Sequence, residues 1–308
     1  MDCGGMEAMI LKSGIRSHSM NNVTSLQVPN SSGTAPPSLK APINACDCHM
    51  HIYDGKRFPP ARPLTRMQDN ARVPDYRLFQ RRIGTSRVVV VQPAANYIDN
   101  GVTLDALAQL GPQARGIAVV HPTVADAELK QMQNKGIRGI RFTQFDPKTA
   151  ATTLDMIEPL AKRVEPLGLH VQIHLRGDQI VGAADLLARL PGTIVFDHLG
   201  RLSAAGIADP AFGVIRRLLD NGNTWMKLSG AYMFDGPPRY AKAAPIARAY
   251  IKAAPERMLW GSDWPHPTEQ NKPDDAVLFD LLSDWAPDAP TRQRILVDNP
   301  ATLYGFSK

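Results

Sequence analysis

Eight short runs rich in apolar and β-branched residues, at 44–51, 87–92, 116–121, 139–143, 170–175, 193–198, 224–229 and 258–263, alternate with longer amphipathic segments. That alternation is the pattern of βα units, whose crossover helices return the chain to the same sheet edge and so make the strands parallel. Helices are expected over 125–134, 155–167, 179–189, 210–219 and 239–253, with Gly136, Gly168, Gly192 and Gly222 at the ends of helix patterns, where a left-handed C-terminal cap belongs. No G-x-G-x-x-G follows the first run, which disfavours an open dinucleotide-binding sheet. Eight units over about 265 residues therefore predict one distorted (β/α)8 TIM-type barrel spanning 43–308.

Residues 1–42 are rich in Ser, Asn, Gly and Pro without a sustained apolar period, and are expected to form a disordered leader, with Met20 an alternative start. The proline- and arginine-rich stretch 53–77 is too long for a tight connection and is expected to lie over the barrel mouth. The net charge of +6 is mild and its Lys and Arg are scattered, which argues for an anionic small molecule and against nucleic acid. An odd cysteine count (Cys3, Cys46, Cys48), no signal-length apolar region and no run of membrane-spanning length point to a reducing, cytoplasmic setting without membrane contact. The sequence does not specify an oligomeric state.

Strand side chains alternate between faces, so His49 and His51 share one face of the first run. The fifth run closes on His174, the sixth on His198 and the eighth on Asp263. In a barrel these strand ends converge at one mouth, where a carboxylate flanked by imidazoles can take a proton from water while imidazole N–H groups or a metal stabilise an oxyanion. Arg141 closes the fourth run and offers a planar fork for a carboxylate; Arg176, two residues past His174, could share its face. His121 also ends a run but precedes Pro122, and His18, His170 and His266 are weaker site candidates.

Asp47-x-His49-x-His51, His174, His198 and Trp260-Gly261-Ser262-Asp263-Trp264-Pro265-His266 resemble the amidohydrolase superfamily, in particular its 2-pyrone-4,6-dicarboxylate lactonase branch. The likeness runs from about Asn44 to Phe306 and includes 114–120, 137–142, Asp197-His198-Leu199-Gly200-Arg201 and Asp298-Asn299-Pro300. The resemblance implies a distorted barrel and hydrolysis of a carboxylated lactone, with Asp263 activating water, His49, His51 and His198 polarising the carbonyl, and Arg141 holding a substrate carboxylate.

Departures from the family shape the reading. Arg141 stands where binuclear members carry a bridging ligand and would repel a second cation. The resemblance implies that the lactonase branch can work without metal and has a tyrosine where this chain has His174, so here His49, His51, His174 and Asp263 offer a ligand set for one divalent ion, zinc or manganese. Without an ion, the histidines would themselves cradle the oxyanion. The branch's further arginines are not evident after 141 or 229, whereas Gln144, Tyr232 and Asp235 suit hydroxyl groups, so a muconolactone-like or sugar-acid lactone is as credible as a pyrone dicarboxylate. Alternatives are an isomerase of an aldaric-acid lactone, a metal-dependent decarboxylase of the superfamily, and a non-catalytic binding barrel.

Overall fold

The computed structural model describes residues 1–2, 25–61, 67–237 and 239–307. Its eight strands are β1 (Cys46–Met50), β2 (Arg87–Val91), β3 (Ala114–Ala118), β4 (Ile137–Thr143), β5 (His170–His174), β6 (Ile194–Phe196), β7 (Thr224–Leu228) and β8 (Met258–Trp260). They form one sheet in sequence order, every neighbouring pair parallel. This is the expected (β/α)8 barrel, with each strand within a few residues of its expected run. Strands such as Arg87-Val88-Val89-Val90-Val91 are buried throughout because side chains on one face fill the barrel and those on the other meet the helices.

The surrounding helices follow from local chemistry. Over Pro210–Asp220 the carboxylate of Asp209 accepts the Ala211 amide, Pro210 occupies the first turn, and Ala211, Val214, Ile215, Leu218 and Leu219 make one buried stripe. Ile157–Val164 buries Ile157, Leu160, Ala161 and Val164 at the same spacing. The helix expected over 179–189 is instead two, Gly177–Gly182 and Ala184–Ala188, parted where Ala183 leaves helical geometry beside the weak helix former Gly182. Among the described residues no helix is long and apolar enough to cross a membrane.

The barrel closes between β8 and β1 at the mouth. The Asp263 amide donates to His49 O (2.8 Å) and the His51 amide to Trp264 O (2.8 Å). Asp47 reinforces the seam by accepting from Ser262 N (2.9 Å), Ser262 Oγ (2.6 Å), His49 N (3.1 Å) and Tyr76 Oη (3.0 Å). Gly261 is required there, since a Cβ would stand 2.7 Å from His49 Cβ.

The leader needs correction. Residues 3–24, including Cys3, His18 and Met20, lie outside the described residues, but 25–42 do not hang free. Val28 is buried in the core, and Trp264 Nε1 donates to Pro29 O (2.8 Å). Arg82, itself buried, donates to Ala35 O (2.9 Å), Ser32 O (2.9 Å) and Ser31 Oγ (3.1 Å) and pairs with Asp274. The Ser38 and Leu39 amides donate to Asp280 (2.9 and 2.7 Å). This strap is held by polar contacts from helices distant in sequence, so it carries no apolar period of its own. We expect Arg82→Met to lower stability by about 2 kcal/mol, the scale of lost hydrogen bonds to a charged group, and to open 25–40 to protease before the barrel unfolds; urea denaturation and limited proteolysis measure both, and an unchanged cleavage pattern would show that Arg82 does not hold the strap.

His170 sits at the opposite end from the mouth, edge-on to Tyr304 at 5.5 Å with Nε2 buried and unpartnered. Burial lowers its pKa to about 3. The folded chain therefore keeps His170 neutral while the unfolded chain protonates it below roughly pH 6.5, so its contribution to stability is lost as pH falls from about 6.5 toward 3, by at most about 1.4 kcal/mol per pH unit. His170→Phe should flatten the dependence of urea-unfolding stability on pH between 6.5 and 4.5; slopes equal to wild type would mean the imidazole is already charged in the fold.

Candidate active site

Strand ends bring three imidazoles around one carboxylate. Oδ1 of Asp263 lies 3.3 Å from His51 Nε2, 3.5 Å from His49 Nε2 and 3.9 Å from His198 Nε2. The rings of His49 and His51 meet edge to face at 5.0 Å, as their shared strand face requires, and His198 tilts against His49 at 4.6 Å. Asp263 and His198 both adopt positive φ (63° and 51°), a conformation that costs a non-glycine residue energy and aims its side chain off the regular strand direction. Tyr232 donates its hydroxyl to Asp263 Oδ2, so the residue expected to bind substrate hydroxyls instead holds the carboxylate.

Ring orientation is set from behind. His51 Nδ1 lies 2.9 Å from Val91 O, which accepts a hydrogen bond from it and turns Nε2 toward Asp263. His49 Nδ1 faces Asp197 Oδ1 at 3.1 Å, and its Nε2 is buried without a hydrogen-bond partner. His198 Nδ1 pairs with Ser229 Oγ at 2.9 Å.

Beneath the imidazoles lies a cluster that the sequence reading did not assign. Asp197, at the end of β6, receives Arg141 Nε from β4 (2.8 Å) and Gln172 Nε2 from β5 (3.1 Å), with Lys227 Nζ from β7 3.6 Å away. Lys227 is fully buried, donating to Gln172 Oε1 (2.6 Å) and lying 3.3 Å from His49 Nδ1. The signals were present: Asp197 adjoins His198, and Lys227 is the one charge in the run Thr224-Trp225-Met226-Lys227-Leu228.

Burial dominates the electrostatics. It presses the pKa of His49 and His174 well below the ordinary imidazole value and that of His198 to about 4. Burial opposes ionisation of Asp263, but the surrounding imidazoles of His198, His51 and His49 outweigh it and hold the carboxyl well below its usual range. Asp197 behaves alike, burial being outweighed by His49, Arg141 and Lys227. Asp47 differs: burial outweighs its hydrogen bonds and lifts it to about 6.

The ligand set expected for a metal assembles in part. Donor atoms of His49, His51 and Asp263 converge within 4.8 Å of one another, and so do those of His49, Asp197 and His198. His174 joins neither group: its ring stacks on Phe145 at 5.5 Å and meets His198 edge-on at 5.3 Å. Two imidazole nitrogens and a carboxylate oxygen, one nitrogen being buried without any partner, fit a divalent ion in kind.

Other expected residues fall variously. Arg141 is at the site, but its Nε is taken by Asp197; its terminal nitrogens make no hydrogen bond among the described residues. Arg176 turns away from His174 to pair with Asp178 through two 3.0 Å contacts, with Nη1 on Phe145 O. Gln144 donates its amide to His174 O (3.2 Å) while its buried Oε1 lacks a partner. Asp235 accepts the Lys242 amide. His121 is tied to Ala151 O (2.6 Å) and His266 to Asp275 (3.1 Å), both structural. Arg201, which had no assigned role, lies over the Phe145 ring at 4.2 Å near the mouth.

A sequence model of the amidohydrolase family matches residues 46–306. The chain is 35% identical over 281 residues to 4-sulfomuconolactone hydrolase of Rhizobium radiobacter, covering 88% of this chain and 93% of the relative. It is 35% identical over 283 residues to 2-pyrone-4,6-dicarboxylate hydrolase of Comamonas testosteroni (87% and 92% covered). It is 31% identical over 286 residues to D-galactarolactone isomerase of Agrobacterium fabrum (90% and 96% covered). With its barrel, its strand-end histidines and aspartate, and these full-length likenesses, the chain belongs to the amidohydrolase family.

Proposed function

We propose that this protein is a hydrolase that opens the ring of a carboxylated lactone. The observation that carries the reading is the ionised Asp263 carboxylate facing the Nε2 atoms of His49, His51 and His198 at a barrel mouth. The likeness to two lactone hydrolases supports the substrate class. Asp263, held by Tyr232, accepts a proton from water as the oxygen bonds to the lactone carbonyl carbon. His198, anchored through Ser229, presents Nε2 toward the carbonyl oxygen. Collapse of the tetrahedral centre breaks the ring C–O bond, and the leaving alkoxide, still tethered, takes the proton back from Asp263. The free ends of Arg141 and Arg201 orient the substrate carboxylate.

One divalent ion, zinc or manganese, would be held by His49, His51 and Asp263, and when bound supplies Lewis acidity toward the carbonyl and lowers the pKa of water. The buried free thiols of Cys46 and Cys48 agree with a cytoplasmic setting. A second reading, lactone isomerisation, is favoured by the likeness to D-galactarolactone isomerase; there a substrate hydroxyl takes the place of water.

Asp263→Asn should retain the fold and lower kcat by roughly 10²–10⁴, the usual worth of a side-chain base; a loss under tenfold would remove Asp263 from that role. Reaction in H₂¹⁸O should place one heavy oxygen in the ring-opened acid, whereas a new lactone without label would establish isomerisation. Chelation and dialysis should abolish turnover, with zinc or manganese restoring it; full activity in protein shown metal-free by elemental analysis would leave the histidines as a direct oxyanion cradle.

A further inference from the structure

The loops that follow β4, β5, β6 and β7 enclose a cavity of about 630 Å³ whose apolar walls are Phe145, Val181, Leu202, Met233 and Phe234. It adjoins the catalytic cluster. Phe145 stacks on His174, His174 meets His198, and a Cβ built at Gly230 would stand 2.8 Å from Met233 Sδ and 3.2 Å from His198 Cβ, so Met233 and His198 flank the same point. A volume of this size suits a ligand larger than a five- or six-membered ring with one carboxylate.

The polar groups around this space are nearly all engaged. Arg176 pairs with Asp178 at the surface and donates to Phe145 O. Asp209 accepts the amides of Ser203 (2.7 Å) and Ala211 (2.8 Å). Arg201 alone keeps an unspent charge: its guanidinium rests on the Phe145 ring and makes no hydrogen bond or ion pair among the described residues. With Arg201 committed to the first anion, a second carboxylate or a row of hydroxyls placed against Phe145, Met233 and Phe234 would lose water there and meet only the Ser203 hydroxyl as a donor. An apolar group would lose nothing, and Val181, 41% exposed, would be covered by it.

Resting on the lactone-opening reading, we propose that the substrate carries a single anionic group, placed at Arg141 and Arg201, and a bulky apolar substituent, aryl or alkyl, that lies in the groove formed by Phe145, Leu202, Met233 and Phe234. The groove thus selects a substituted monoanionic lactone over a dicarboxylated or polyhydroxylated one.

Binding can be measured without turnover, using tetrahydrofuran-2-carboxylate, its 5-phenyl derivative and tetrahydrofuran-2,5-dicarboxylate as ring analogues that cannot be opened, titrated calorimetrically into protein purified without chelator. The 5-phenyl acid should bind at least tenfold more tightly than the other two. Phe145→Ala should erode that preference at least fivefold, and Met233→Arg should shift it toward the dicarboxylate. Equal binding of the three analogues, tighter binding of the dicarboxylate, or no measurable binding of the 5-phenyl acid would overturn the groove assignment. Hydrolysis of the matching lactones separates this from the parent reading. A phenyl preference in binding with no lactone opened would sink the hydrolase and leave the groove standing, whereas faster opening of the dicarboxylated lactone would do the reverse.

Discussion

The site depends on one buried carboxylate that does not face the mouth. Asp197 is fully enclosed, and an unpaired carboxylate there would be prohibitively costly, with several kcal/mol of desolvation left uncompensated. Its Oδ2 accepts from Arg141 on β4 and Gln172 on β5, and its Oδ1, which makes no hydrogen bond, is faced by His49 on β1 and Lys227 on β7. Each partner sits on a different strand, so the ion cluster and the barrel's register specify one another. Two carboxylates, Asp197 and Asp263, are set among the cations Arg141 and Lys227 and the imidazoles of the strand ends.

The mouth is built on that floor by a second constraint, the seam between β8 and β1. Gly261 permits the close approach, Asp47 ties Ser262 to β1, and the chain then enters positive φ at Asp263. His198 makes a similar turn just beyond Asp197. Strained conformations of this kind persist only where the surroundings over-determine them. Here Asp263 and His198 are each next to a group locked by buried hydrogen bonds, Ser262 and Asp197.

The barrel was legible in the sequence because its signals are local: strand runs, helix stripes and capping glycines need no knowledge of what lies across the core. His49, His51, His198 and Asp263 were legible for the same reason, since ending a strand run is enough to place a residue at the mouth. What could not be read were relations between strands. The occupation of Arg141 by Asp197, the burial of Lys227 beside His49 and the turning of Arg176 onto Asp178 all depend on register and on loop conformation. His174 was placed on the right strand end, yet the aromatic face of Phe145 captured its ring, a contact set by a loop with no periodic signature. The strap over 25–42 was missed because its anchors, Arg82, Trp264 and Asp280, lie far away in the chain.

These two kinds of region divide the work of the enzyme. The residues proposed to meet the reacting carbonyl stand on strand ends beside the Asp197 cluster, where removal of one partner leaves a buried charge uncompensated. The walls of the adjoining cavity come instead from loops whose side chains make few interlocking polar contacts, Met233 and Phe234 after β7 and Phe145 after β4. On the proposed reading, exchanging an apolar residue there for a charged one would alter which substituent is welcome while leaving the carboxylate and imidazoles in place. A family whose members act on lactones as different as a sulfonated muconolactone and a sugar-acid lactone is what this separation of rigid chemistry from replaceable walls would produce.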